Sequence, residues 1–397
     1  MEIAQRVNRI HYAIRDLDTN AKDLIKLNIG DPAFFGFKTP EPLVNAMSES
    51  VKNQKNYYTD SQGLLELREA IAKRSSSRGV PTTEKDVIVT AGASEAVNLI
   101  FACLIEKGSE VLLPAPTYPQ YSSVVNFFEG ENVFYKCDEE NNWQPDVDDI
   151  KRKISEKTAA IVIINPNNPT GAVYKPKILK QIIDIAAEHK LPIISDEIYD
   201  DMVIEDSFTS TASLSKEVPI ITLNGISKNY LAPGWRLGWM TLSNLKGEQE
   251  QLKEALLKLC RLRLCASTPA QFAAAKALNN TSHINAVRNS LKKRRDFVLK
   301  RFSEIKTDKV SFSCTKPEAA FYAFPKLNDK YNLWKSDLEF VKELRDKGNV
   351  LVVHGSGFNY EDTDRKTKHF RLVFLPELNV LAEAFNRIEQ FVKSKSV

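Results

Sequence analysis

The stretch Ser227-Lys228-Asn229-Tyr230-Leu231-Ala232-Pro233-Gly234-Trp235-Arg236-Leu237-Gly238, entered from the apolar run Ile220-Ile221-Thr222-Leu223, sets one lysine at the carboxyl end of a predicted strand. An arginine follows eight residues on, across a Pro-Gly turn. A lone lysine is most often a solvated surface charge. Behind a buried strand it is instead an amine held in a site, able to form a Schiff base with an aldehyde, while the arginine can neutralise a phosphate.

Outward from this point, short apolar runs at residues 86–90, 110–113, 159–164, 192–195 and 219–223 read as buried strands bounded by turn residues. Helical patterns at 94–105, 177–189 and 247–260 lie between or after them. The alternation predicts an α/β fold, a mostly parallel sheet with helices on both faces, whose ligands collect beyond the carboxyl ends of the strands. The last third differs, with a charged helix at 285–305 and strands at 319–324, 350–353 and 370–374, and reads as a smaller α+β domain.

The totals exclude several classes. At 397 residues the chain exceeds one core, and no repeat or long linker divides it. Lys plus Arg number 55 against 51 Asp plus Glu, too even a balance for a nucleic-acid footprint. Five cysteines without a CxxC pair suggest reduced thiols and a cytoplasmic setting. A polar amino terminus and the lack of an apolar span predict no export signal and no membrane contact. Histidines 11, 189, 283, 354 and 369 lack metal-ligand spacing, so no metal is expected.

The predicted strand ends supply a matching constellation. An amine for an aldehyde and a cation for a phosphate are together what pyridoxal 5'-phosphate requires. Ala91-Gly92-Ala93-Ser94 opens a helix whose first N–H groups, with Arg236 and the Ser227 hydroxyl, can hold the phosphate; the competing role for Ser94 is a plain N-cap. Asp196 ends a buried strand and needs a cationic partner, which a protonated pyridine nitrogen supplies; a helix N-cap is the alternative. Tyr199 would then bond the phenolic oxygen, and Tyr118, in Pro116-Thr117-Tyr118-Pro119, offers a ring to stack on the pyridine. Arg371, in His369-Phe370-Arg371-Leu372, is the fork for a substrate carboxylate, with Gly30 able to bring a backbone N–H to the same group. Arg15, with Tyr12 three residues before it, is the candidate for a distal carboxylate.

These motifs, with Tyr12-Ala13-Ile14-Arg15-Asp16 and Leu27-Asn28-Ile29-Gly30-Asp31-Pro32, give the chain a resemblance over nearly its whole length to fold-type I, class I/II aminotransferases dependent on pyridoxal phosphate, of the archaeal alanine aminotransferase type. The resemblance implies a large domain at about 46–285 with a seven-stranded-type sheet, and a small discontinuous one built from about 1–45 and 286–397. It implies that Asn168, in Asn165-Pro166-Asn167-Asn168-Pro169, bonds both cofactor and substrate carboxylate after a cis Asn168-Pro169 bond. It further implies that Tyr58 reaches the cofactor of a second subunit, so that the enzyme is a homodimer.

The expected activity is ping-pong amino-group transfer through Lys228, as Schiff-base former and proton shuttle, with alanine and 2-oxoglutarate as first-choice substrates. Aspartate or an aromatic amino acid remains open as donor. The same fold and cofactor also serve lyases and decarboxylases. A cofactor-sensing transcription regulator is disfavoured, since Gly30 is reached before any DNA-binding domain could fit.

Overall fold

The run Thr158–Ile164 is almost wholly buried, and its two faces enter different cores. Ile161 and Ile163 pack with the helix Pro176–Glu188 on one side, while Ala160, Val162 and Ile164 pack with the helix Ala93–Leu104 on the other. Burial on both sides is why this strand is apolar throughout rather than alternating.

The computed structural model describes residues 12, 14, 17, 22–205, 207–359 and 368–395. Its first strands are β1 (Ile25–Lys26), β2 (Val87–Thr90), β3 (Glu110–Ala115), β4 (Glu131–Asp138), β5 (Gln144–Pro145), β6 (Thr158–Ile164), β7 (Ile193–Asp196), β8 (Ile220–Gly225) and β9 (Gly238–Ser243). All but β1 form one eight-stranded sheet in the order β2-β9-β8-β7-β6-β3-β4-β5. From β4 through β8 the neighbours run parallel, whereas β9 is antiparallel to both β8 and β2. β5 is a two-residue antiparallel edge, so the expected seven-stranded type gains a short eighth member.

Register sets the strand ends level. Ile164 lies opposite Asp196, and Asp196 opposite Leu223, so the chain leaves β6, β7 and β8 along one rim. The five predicted strands of this sheet are all present, shifted by one or two residues at their ends; the three helices are present too, the last of them shifted by three residues. Besides the short edge β5, two further strands of this sheet were not expected. β9 follows the Arg236 loop directly and reads as its tail, and β4 carries Glu131, Lys136 and Asp138, whose charges mask its pattern.

The remaining strands are β10 (Val310–Ser313), β11 (Tyr322–Ala323), β12 (Lys326–Asp329), β13 (Val350–Leu351), β14 (Val353–His354) and β15 (Lys368–Val373). Helices Ile284–Glu304, Asp337–Gly348 and Leu378–Ser394 pack around these strands in a core rich in phenylalanine. The early segment joins it: β1 pairs in parallel with β13, and the Leu27 carbonyl accepts from the Val373 N–H. That pairing carries Asn28 and Gly30 across to the rim of the large sheet. Among the described residues no helix is long and apolar enough to cross a membrane.

Candidate active site

Beyond this rim lies a cavity of about 300 Å³. Tyr12, Gly30, Ala93, Ser94, Tyr118, Asn168, Asp196, Tyr199, Ser227, Lys228, Arg236 and Arg371 all line it. Segments more than 300 residues apart in sequence thus meet in one place. Tyr58 does not line the cavity and stands 78% exposed on the surface of the chain. Arg15 lies outside the described residues.

Lys228 sits on the single turn Ile226–Asn229 that follows β8. The turn is tied down from behind, where the Asn224 and Asn229 amides donate to the two oxygens of Asp200, at 2.8 and 2.5 Å. Arg74 and Arg78 hold the same carboxylate and that of Asp201, and are themselves largely buried. On the cavity side, Lys228 Nζ donates to the Gly30 carbonyl at 2.8 Å. Burial lowers the Lys228 amine to about 8; Asp31 and Asp196 oppose that shift, while Arg371 and Arg236 reinforce it. An amine so depressed is available as a nucleophile near neutral pH.

Asp196 is buried at the end of β7. Its Oδ2 accepts from the Tyr121 hydroxyl at 2.8 Å and its Oδ1 from the Ile198 N–H at 3.2 Å, and burial raises its pKa against both bonds. The N-cap-like bond is therefore present, and the carboxylate still lines the cavity. A buried carboxylate with only neutral bonding partners suits a cationic ring N–H. Tyr121 was not foreseen, although it stands in the same Pro-Thr-Tyr-Pro-Gln-Tyr stretch as Tyr118.

The helix Ala93–Leu104 starts at Gly92, which caps it with φ 85° and no side-chain bond, and its first residues, Ala93 and Ser94, line the cavity. A Cβ on Gly92 would stand 2.5 Å from Arg236 Nη2, so the glycine lets the guanidinium lie against this end. Arg236 takes a left-handed backbone (φ 50°) and donates to the carbonyls of Pro233 and Ala91. An uncapped helix start beside a guanidinium fits a phosphate.

Arg371 spans the opposite wall. Its Nη1 donates to Asn168 Oδ1 at 3.1 Å and its Nη2 to the Asn28 carbonyl at 2.8 Å. Its buried Nε has no hydrogen-bond partner among the described residues, and the side chain lines the cavity, where a guanidinium suits a carboxylate. Asn168 is aimed by the turn around Asn167, whose Oδ1 accepts from the N–H and hydroxyl of Thr170. The expected cis Asn168-Pro169 bond is corrected: cis bonds lie at Asn165-Pro166 and Ala115-Pro116, and the Asn167–Thr170 contacts orient Asn168 without one.

Gly30 is glycine for a reason the sequence did not disclose. A Cβ there would stand 2.4 Å from the Tyr322 hydroxyl, which in turn bonds the Tyr199 hydroxyl at 2.8 Å. Tyr322 was expected only as part of a strand. Its place in the cavity depends on the antiparallel pairing of β11 with β15, which brings it beside Arg371.

The chain belongs to the class I and II aminotransferases, whose family model matches residues 22–388. It is therefore a pyridoxal phosphate-dependent transaminase, and the residues above fit that cofactor. Among relatives, it is 38% identical over 395 residues to glutamate-pyruvate aminotransferase AlaA of Haemophilus influenzae, covering 96% of this chain and 94% of that one. It is 36% identical to alanine aminotransferase of Mycobacterium tuberculosis, covering 97% and 89%. The solved alanine aminotransferase of Pyrococcus furiosus superposes with a TM-score of 0.93 at 45% identity, covering 99% of this chain and 100% of that one.

Proposed function

We propose that this transaminase moves the amino group of L-alanine to 2-oxoglutarate, giving pyruvate and L-glutamate, in a ping-pong cycle. The convergence of Lys228, Asp196, Arg236 and Arg371 on one cavity carries the reading of the site. The printed names of the relatives in Haemophilus influenzae and Pyrococcus furiosus support alanine as donor. When bound, pyridoxal phosphate supplies an aldehyde that exchanges amino groups and a ring that accepts electron density.

Each residue then has a part. Ala93, Ser94, Ser227 and Arg236 hold the phosphate, while Tyr118 stacks on the ring. Asp196 keeps the ring nitrogen protonated. Asn168 and Tyr199 bond the ring oxygen. Arg371, Asn168 and Gly30 would hold the substrate carboxylate on the wall of the cavity that Lys228 also lines. The Lys228 amine holds the cofactor at rest and moves the proton from the α-carbon during turnover. Tyr12 lines the cavity, and Arg15 is the cation proposed for the distal carboxylate of 2-oxoglutarate. The enzyme is a cytoplasmic homodimer, with Tyr58 of each copy completing the site of the other. Residues from about 46 to 285 form the cofactor domain, and the flanking parts form the small one.

A half-reaction screen tests the substrate assignment. Holoenzyme mixed separately with alanine, aspartate, glutamate and phenylalanine should lose the visible absorbance of its lysine-bound cofactor fastest with alanine or glutamate. Faster loss with aspartate or phenylalanine would overturn the choice of donor.

A further inference from the structure

Two cavity walls built from different sheets meet at one side chain. Tyr199 follows β7 of the large sheet, and Tyr322 lies on β11 of the smaller one. Their hydroxyls are 2.8 Å apart and both are buried. The Tyr322 ring faces the Arg371 guanidinium, whose Cζ lies 4.6 Å from the ring centroid. The space for the hydroxyl exists because residue 30 carries no Cβ.

We infer that Tyr322 is a positioning residue with two separable actions: its hydroxyl fixes the Tyr199 hydroxyl toward the cofactor, and its ring supports Arg371 toward the substrate carboxylate. The inference rests on the proposed role of Tyr199 as donor to the cofactor's ring oxygen. A phenol rotates freely about its C–O bond unless a partner selects its direction. Here Tyr322 is that partner, and both side chains are almost wholly buried, so its loss costs aim and leaves the Tyr199 oxygen without its hydrogen-bond partner. Support of the guanidinium works differently. A planar cation over an aromatic face is held by the ring quadrupole and by shape, which phenylalanine preserves and leucine does not.

The test uses holoenzymes carrying Tyr322→Phe, Tyr322→Leu, Tyr199→Phe and the double change Tyr199→Phe with Tyr322→Phe. The first readout is the pH midpoint of the bound cofactor's visible absorbance, which a hydroxyl donating to an anionic oxygen holds down. Tyr199→Phe raises this midpoint, Tyr322→Phe raises it by a smaller amount, about half a unit, and the double change moves it no further than Tyr199→Phe alone. The second readout is KM for the amino acid, which stays within about twofold in Tyr322→Phe and rises about tenfold in Tyr322→Leu.

An unmoved midpoint in Tyr322→Phe, with a raised one in Tyr199→Phe, would overturn the inference and spare the role of Tyr199. A further shift in the double variant would show that Tyr322 acts independently of Tyr199 and would also overturn it. An unmoved midpoint in Tyr199→Phe itself would remove the underlying reading and this inference with it. Equal KM values in Tyr322→Phe and Tyr322→Leu would overturn the support of Arg371.

Discussion

At the scale of single residues the site depends on charges that are buried before any ligand arrives. Burial pushes the Lys228 ammonium down to about 8, so the amine is mostly charged below that pH and mostly neutral above it. Only the neutral form attacks an aldehyde. The rate at which apoprotein captures pyridoxal phosphate should therefore rise with pH through a midpoint near 8, as followed by stopped-flow absorbance; a midpoint near the ordinary lysine value would contradict the burial argument. Arg371 donates to neutral oxygens of Asn168 and Asn28. Replacing it by Leu removes a charge-assisted fork worth about 1.5–3 kcal/mol, so kcat/KM for alanine should fall about 10- to 100-fold, mostly through KM. Lys228 and Asp196 stood out as charged groups where buried strands end, Arg236 by its spacing from the lysine and Arg371 as an arginine within an apolar stretch, and all four line the cavity. Tyr121 and Tyr322 were not legible, since a tyrosine in a loop or strand is ordinary and only tertiary contact gives it a partner.

At the scale of elements, two devices hold the catalytic parts still. The first is the helix start at Gly92, where a side chain would meet Arg236 and strain a positive φ. Gly92→Ala should cost about 1–3 kcal/mol and weaken cofactor affinity more than overall stability, as measured by cofactor release on dialysis beside thermal unfolding. The second is the network behind the lysine turn. Arg74 is 7% exposed and bonds Asp200 and Asp201, and Asp200 anchors Asn224 and Asn229 on either side of Lys228. Arg74→Ala leaves these carboxylates with Arg78 as remaining cation and should destabilise the fold by about 3–5 kcal/mol, read by urea unfolding of the holoenzyme. The helix start was legible in Ala91-Gly92-Ala93-Ser94, but the network was not. Arg74 reads as one more helical cation, and its buried partners lie more than 120 residues away. The parallel strands β3, β6, β7 and β8 were readable because both of their faces are buried, whereas half-exposed β4 carries a mixed pattern.

At the scale of the whole molecule the single chain leaves parts unaccounted for. Tyr57, Tyr58, Leu65, Leu262 and Leu264 are all well exposed, with Leu262 at 82%. Exposed apolar groups of this size favour association. A homodimer is expected by light scattering, and Tyr58→Phe should weaken cofactor binding while leaving the dimer intact. A monomer with full activity would refute shared sites. The α/β architecture was legible from strand and helix alternation, because both periodicities follow from burial. The route by which residues 22–30 return to the rim was not, since β1 is two residues long and its pairing with β13 has no local signal.

Borohydride reduction of the holoenzyme followed by peptide mass mapping asks whether the amine of Lys228 carries the cofactor. A phosphopyridoxyl group is expected on the peptide containing Lys228 and on no other. The same group on a different lysine, or none anywhere, would contradict that expectation.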